Sequence, residues 1–192
     1  MNNVTIRLII GLRNPGPAYE QTRHNAGAWF VERVQKQFGH GFVVDKKHQT
    51  QMSECRIDGQ TFIAMMPTGF MNHSGRSTLS VAQYYKIAPQ EILVAHDELD
   101  LDPGRVKLKT GGGHGGHNGL RDIISQLGSA DFHRLRIGIG HPGHKDMVTP
   151  YVLSQPSSTD KRLIYDALER SIPAMSLIIK GDMAKAMTMI NS

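Results

Sequence analysis

Five glycines fall within six residues in Thr110-Gly-Gly-Gly-His114-Gly-Gly-His117-Asn118-Gly119, and no other stretch restricts the fold so strongly. Glycine loses the most backbone freedom on folding and tolerates positive φ, so this run belongs where the chain turns hard and something approaches closely. Before it, Arg105-Val-Lys107-Leu-Lys109 alternates like a half-buried strand. After it, Gly119 to Leu127 carries apolar residues at helical spacing and stops at Gly128. A strand, a glycine loop and a helix capped by Asn118 predict a floor for a bound phosphate or ribose.

The rest of the chain alternates strand and helix signals. Val4 to Ile10 is β-branched and apolar and stops at the turn signal Gly11-Leu-Arg-Asn14-Pro-Gly16-Pro17. From Thr22 the spacing predicts a helix with Ala26, Phe30, Val34 and Phe38 on one face and Gly39 as its end. His24 and Asn25 fall in its first turn, where the helix dipole disfavours an imidazolium and so favours a proton-accepting ring. Residues 40–49 read as loop, and 50–57 with 60–66 as a hairpin around Asp58-Gly59. A helix follows over 74–85, then strands at 91–95 and 135–139. From Ser158 an amphipathic helix turns Leu163, Ile164, Ala167, Leu168 and Ile172 inward, bends near Pro173, and gives way to a last helix after Gly181.

This pattern predicts an α/β class in one domain, residues 1–192, and the hairpin argues against an all-parallel sheet. Ligands in such sheets sit where strands end. Asn14, Asn72 and Asp97 each follow a strand and Asn118 follows the glycine loop, so the four are expected to converge on one crevice.

A single cysteine, Cys55, excludes an internal disulfide and fits a reducing compartment. No secretory leader and no span-length apolar window is visible. A net charge of +5, with ten histidines besides, points to an anionic partner, nucleic acid first. Several familiar sites fail on their own terms. Gly111-x-Gly113-x-x-Gly116 matches a dinucleotide fingerprint, but Arg136 stands where the ribose-binding acid belongs. A Walker loop needs Lys-Ser or Lys-Thr where His117-Asn118 lies, and no Gly-x-Ser-x-Gly elbow occurs. His114 with His117, and His141 with His144, lack the companion ligands of a metal motif.

What remains is water as nucleophile and a histidine as base, its tautomer fixed by a carboxylate. His24 with Asp97 suits that chemistry, and asparagines can place water and a carbonyl without quenching the base. Bland roles stand beside these: His24 as cap or surface residue, Asn14 as turn former, Asn72 and Asn118 as helix starts, Asp97 as one charge of a solvated acidic loop.

Taken together, Gly11-Leu-Arg-Asn14-Pro-Gly16, Tyr19, Thr22-Arg-His24-Asn25-Ala-Gly27, Pro67-Thr-Gly-Phe-Met71-Asn72-x-Ser-Gly75, His96-Asp97-Glu-Leu-Asp100, Gly111 to Gly119, and Phe132 to Gly143 resemble the bacterial peptidyl-tRNA hydrolase family. The resemblance runs to about residue 154. It implies a central mixed, mostly parallel twisted sheet flanked by helices. It also implies a cytoplasmic, monomeric, cofactor-free and metal-free esterase, with no membrane and no obligate protein partner, that cleaves the ester between a peptide and the 3′-terminal ribose of tRNA. By motif position His24 would be the base and Asp97 its orienting acid. Asn14 and Asn72 would hold the peptide end and the water, and Asn118 water or the scissile carbonyl. Tyr19 and Met71 would line the cleft, His117 would adjoin it, and Lys107, Lys109 and Arg136 would clamp a tRNA phosphate. Arg13 and His73 depart from the family's usual residues. The rivals are a non-catalytic, splicing-cofactor-like RNA binder on the same fold and an esterase for small molecules or proteins. The first leaves a base and its acid without purpose, the second leaves Lys107 and Lys109 unexplained.

Overall fold

One seven-stranded sheet organises the chain, in the order β2-β3-β4-β1-β5-β7-β6. The structure is a computed structural model and describes residues 3–192. Its strands are β1 (Leu8–Gly11), β2 (Val43–Asp45), β3 (Thr50–Ile57), β4 (Gln60–Pro67), β5 (Ile92–Glu98), β6 (Val106–Thr110) and β7 (His133–Gly138). The helices are α1 (Ala26–Phe38), α2 (Ser74–Tyr84), α3 (Asn118–Leu127), α4 (Val148–Val152), α5 (Ser158–Ser171), α6 (Met175–Lys180) and α7 (Met183–Asn191). β4, β1, β5 and β7 are parallel neighbours, while β2, β3 and β6 pair antiparallel at the margins. The mixed, mostly parallel sheet expected from the sequence is therefore present.

Strands covered on both faces must be apolar at every position, and β1 is Leu-Ile-Ile-Gly for that reason. Ile9 packs with Phe30, Val34, Leu168 and Ile178 on the face that carries α1, α5 and α6. Leu8 and Ile10 pack with Val81, Leu120 and Ile123 on the face that carries α2 and α3. Each such fully buried side chain contributes on the order of 1.5–3 kcal/mol. The β3–β4 turn is the expected one, with positive φ at both Asp58 (50°) and Gly59 (80°) matching the strand twist.

Elsewhere the chain departs from its sequence pattern. Met1 and Asn2, at the head of the stretch expected as the first strand, lie outside the described residues. Pairing begins at Leu8 rather than Val4, although the Ile6 and Arg7 amides already donate to Ile179 and Glu91 carbonyls. The supposed loop 40–49 contains β2, too short to show a period. Leu163, expected inward, is exposed, because α5 rests on the core along Ile164, Ala167 and Leu168. The expected bend is there, as a 3-10 turn, Ile172–Ala174, between α5 and α6. α7 lies beside β6, where the Asn191 side chain accepts from the Leu108 amide (2.8 Å) and donates to the Leu108 carbonyl (3.2 Å). No helix among the described residues is long and apolar enough to cross a membrane.

Two glycines set the position of α1. A Cβ on Gly27 would lie 2.1 Å from the Ala95 carbonyl oxygen, and one on Gly11 would lie 2.7 Å from the Gly27 carbonyl oxygen. The helix start thus sits directly on the carboxyl end of β1 and on Ala95 in the middle of β5.

Candidate active site

That close approach hangs the 3-10 turn Arg23–Asn25 over the end of β5. Its three side chains are buried and have separate tasks. Arg23 donates to the Tyr151 carbonyl (3.1 Å) and the Ser154 hydroxyl (2.6 Å), tying the turn to α4 and the segment after it. The Asn25 Oδ1 accepts from the Asn14 amide and its Nδ2 donates to the Asn14 carbonyl, both at 2.9 Å, which fixes the loop after β1. Between them, His24 faces Asp97.

Nδ1 of His24 lies 2.9 Å from Oδ2 and 3.0 Å from Oδ1 of Asp97. A second imidazole reaches the same carboxylate, with His117 Nε2 2.8 Å from Oδ1. Because His117 Nδ1 accepts from the Gly119 and Leu120 amides (3.1 and 3.3 Å), its proton is on Nε2 and is donated to Asp97. Its ring is the N-cap of α3, so the cap expected at Asn118 is made one residue earlier. His24 in turn donates through Nδ1–H and keeps a lone pair on Nε2, which has no protein partner among the described residues.

Burial alone would lower the His24 pKa, but the charge of Asp97 and its hydrogen bond raise it above the ordinary 6.5. The helix-dipole expectation of a disfavoured imidazolium is overturned: His24 precedes α1 in a short 3-10 turn, and a carboxylate in contact outweighs the dipole. Burial would raise Asp97, yet the facing His24 and His117 hold it far below the usual carboxylate range. His24, Asp97 and His117 also present donor atoms within 4.8 Å of one another, close enough to hold a metal ion. Here both ring N–H groups are spent on the carboxylate, so a metal would have to displace both protons.

This triad opens on a crevice of about 1040 Å³. Asn14, Met71, Asn72 and Asn118 line it, so the convergence expected from four strand and loop ends is realised. Asn14 accepts from the Met71 amide through Oδ1 (2.8 Å), leaving its amide nitrogen without a protein partner among the described residues. Asn118 accepts from Arg121 (3.2 Å), and its amide nitrogen is likewise uncommitted. Asn72 is exposed on the wall. Lys109 and Arg136 also line it, Arg136 in register with His96 on β5, whereas Lys107 is in register with Arg136 but outside the wall. Tyr19 is also outside it, edge-on to Phe70, which is 53% exposed and does line the crevice. Arg13 donates to the Pro67 carbonyl and His73 sits on the rim.

Several contributors leave no signal in residue spacing. Asn25 and Arg23 act through backbone carbonyls that spacing does not reveal. Lys145, Val148, Thr149, Val152 and Leu153 also line the crevice, from a stretch with little period. His96 is buried with Nδ1 on the Asp97 carbonyl (2.8 Å) and Nε2 unpartnered. Burial, then His117, pushes it down to about 4, so it stays neutral beside the carboxylate.

The arrangement brings together an imidazole with a free Nε2, the carboxylate that holds its Nδ1–H, and uncommitted amide donors in one crevice whose lining includes Lys109 and Arg136. Residues 8–192 match the sequence model of a family described as peptidyl-tRNA hydrolase. A peptidyl-tRNA hydrolase of Legionella pneumophila (strain Philadelphia 1) is 58% identical over 189 residues, 98% of this chain and all of the relative. That of Coxiella burnetii (strain RSA 493) is 49% identical, covering 97% of this chain and 98% of the relative. The crystal structure of the Acinetobacter baumannii enzyme matches with a TM-score of 0.95 at 46% identity, over 97% of this chain and 95% of that one.

Proposed function

Because the chain belongs to the peptidyl-tRNA hydrolase family, we propose that it hydrolyses peptidyl-tRNA at the ester between peptide and 3′-terminal ribose, with His24 as the base. The observation that carries the assignment is the His24–Asp97 contact at 2.9 Å, which leaves Nε2 as the proton acceptor on the crevice side.

Water held by Asn72 and Asn118 attacks the ester carbonyl while His24 Nε2 takes its proton. The imidazolium forms against Asp97, whose charge stabilises it. Negative charge gathers on the carbonyl oxygen, where the uncommitted amide of Asn14 donates; one such donor is worth on the order of 3 kcal/mol. The intermediate then collapses and the ribose 3′ oxygen leaves with the proton from His24. Phe70 and Met71, backed by Tyr19, give the peptide an apolar wall, and Lys107, Lys109 and Arg136 attract the tRNA backbone. The protein works as one domain, a monomer in the cytoplasm, without a cofactor. A single buried thiol, Cys55, supports a reducing setting.

The test is single-turnover hydrolysis of a peptidyl-tRNA by the His24→Ala protein, with and without a chelator. Hydrolysis should fall to the uncatalysed level while tRNA affinity holds within about twofold, and the wild type should be indifferent to the chelator. Retained activity would remove His24 as base, and chelator sensitivity would return the triad to a metal.

A further inference from the structure

Arg23 stands next to the base in the chain, is 8% exposed and has no place in the lining of the crevice. A guanidinium taken out of water is costly unless its donors are used. None of the ion pairs among the described residues includes it. Instead Nη1 alone serves three acceptors on one short segment: the Tyr151 carbonyl at 3.1 Å, the Ser154 carbonyl at 3.3 Å and the Ser154 hydroxyl at 2.6 Å. The Arg23 amide donates to that same Ser154 carbonyl at 3.0 Å, and the guanidinium carbon lies 3.9 Å from the centre of the Tyr151 ring. The other buried guanidinium among the described residues, that of Arg134, is used up on the glycine loop, at the carbonyls of Gly112 and Gly113. Arg23 by contrast joins parts of the chain 128 and 131 positions apart.

What it joins is the base and one stretch of the crevice lining. Val148, Thr149, Val152 and Leu153 line the crevice, and Tyr151 and Ser154 lie in the same segment. Tyr151 is anchored in turn, its hydroxyl donating to the Ile139 carbonyl just beyond β7. The turn that carries His24 has only three residues and no side-chain bond at its cap, so its set depends on what holds its flanks. Asn25 holds one flank on the Asn14 backbone, and Arg23 holds the other on α4 and Ser154.

We propose that Arg23 is a positioning residue that makes His24 and the segment 148–154 one rigid unit, so that substrate pressed against Val148, Val152 and Leu153 is set at the distance from His24 Nε2 that proton transfer requires. Contact with the segment is then expressed in turnover rather than in affinity, as when remote binding energy orients the reacting atoms. The inference rests on His24 being the base for peptidyl-tRNA, and its test separates the two.

The test is steady-state hydrolysis of a peptidyl-tRNA, with rates referred to the folded fraction measured by circular dichroism. Arg23→Met should lower kcat about 30-fold with KM within about twofold of wild type. Ser154→Ala, which removes only an exposed hydroxyl, should lower kcat about threefold. In Arg23→Lys an ammonium offers three protons to the same acceptors, and kcat should return to within about fivefold of wild type. Leu153→Ala should lower kcat about threefold in the wild type and hardly at all in Arg23→Met, because without the tie the segment no longer sets the distance. Where Arg23→Met does not fold, the same cycle run with Ser154→Ala decides. Losses that multiply in the double variant would mean that segment and base act independently, and the proposal falls. It falls too if Arg23→Met raises KM at constant kcat, or lowers the melting temperature while kcat per folded molecule holds; either result leaves the activity standing. Full activity in His24→Ala would instead remove the base itself, and the tie would have nothing to place.

Discussion

Replacing Asp97 with Asn tests the site at its most constrained point. The carboxylate accepts from His117 through Oδ1 and from His24 through both oxygens. A carboxamide has one oxygen and one NH2, and the two imidazoles compete for the oxygen. His117 wins, because its Nδ1 already accepts from two backbone amides and its proton cannot leave Nε2 without breaking the cap of α3. The NH2 then occupies the Oδ2 position, 2.9 Å from His24 Nδ1, and donates to it. That contact selects the tautomer with the proton on Nε2, so the lone pair that accepts from water is lost. Removing a general base typically slows a reaction by about 10²- to 10⁴-fold, or ~3–5 kcal/mol, and a wrong tautomer belongs in that range. Turnover should fall by that much, though less than in His24→Ala. A second signature is in the pH profile. In the wild type kcat/KM should fall as pH drops through the raised His24 pKa, and without the carboxylate charge this limb should move to lower pH. The control is Asp97→Asn combined with His117→Ala, which frees the oxygen to face His24 and should regain about tenfold in kcat over the single variant. A double variant no faster than Asp97→Asn alone, or an acid limb that does not move, would refute the tautomer argument.

Two further expectations concern stability. His96 is held near 4 in the folded state against 6.5 unfolded, so the unfolded chain takes the proton first and stability is lost as pH falls from about 6.5 towards 4. Between pH 7 and 5 this costs about 2 kcal/mol, opposed by the raised pKa of His24; His96→Phe should remove that loss in urea unfolding, and an unchanged pH slope would contradict it. Gly27→Ala would place a methyl 2.1 Å from the Ala95 carbonyl, pushing α1 and the His24 turn off the sheet. It should cost about 3 kcal/mol in unfolding and reduce kcat of the folded protein, and wild-type values for both would count against the close approach.

What the sequence revealed, and what it hid, follows from the range of the forces involved. The Asp58-Gly59 turn, the stop at Gly128 and the apolar β1 strand are legible because their causes are local. Asp97 and His24 are readable as types suited to a reaction, but their contact depends on Gly27 seating a helix on β5, 73 positions being bridged by that packing. The sequence makes His117 a neighbour of the cleft and Asn118 the cap; the imidazole takes the cap because its ring also has a carboxylate to meet. Arg134 and Asn25 left no trace in spacing, since their partners are backbone carbonyls and amides common to every residue. Three residues of β2 were too few to display alternation. Leu163 fitted the helical period, but α5 touches the core along a narrower stripe than its apolar residues cover.

The Asn191 amide, by matching both backbone groups of Leu108, stands in for one link of an eighth strand. It closes the sheet's margin midway between Lys107 and Lys109, the two lysines proposed to meet the tRNA backbone. A purification handle that drew α7 away would bare a donor and an acceptor at that spot. The margin could then zip to its twin on another molecule, and such pairing would compete with RNA for the same strand.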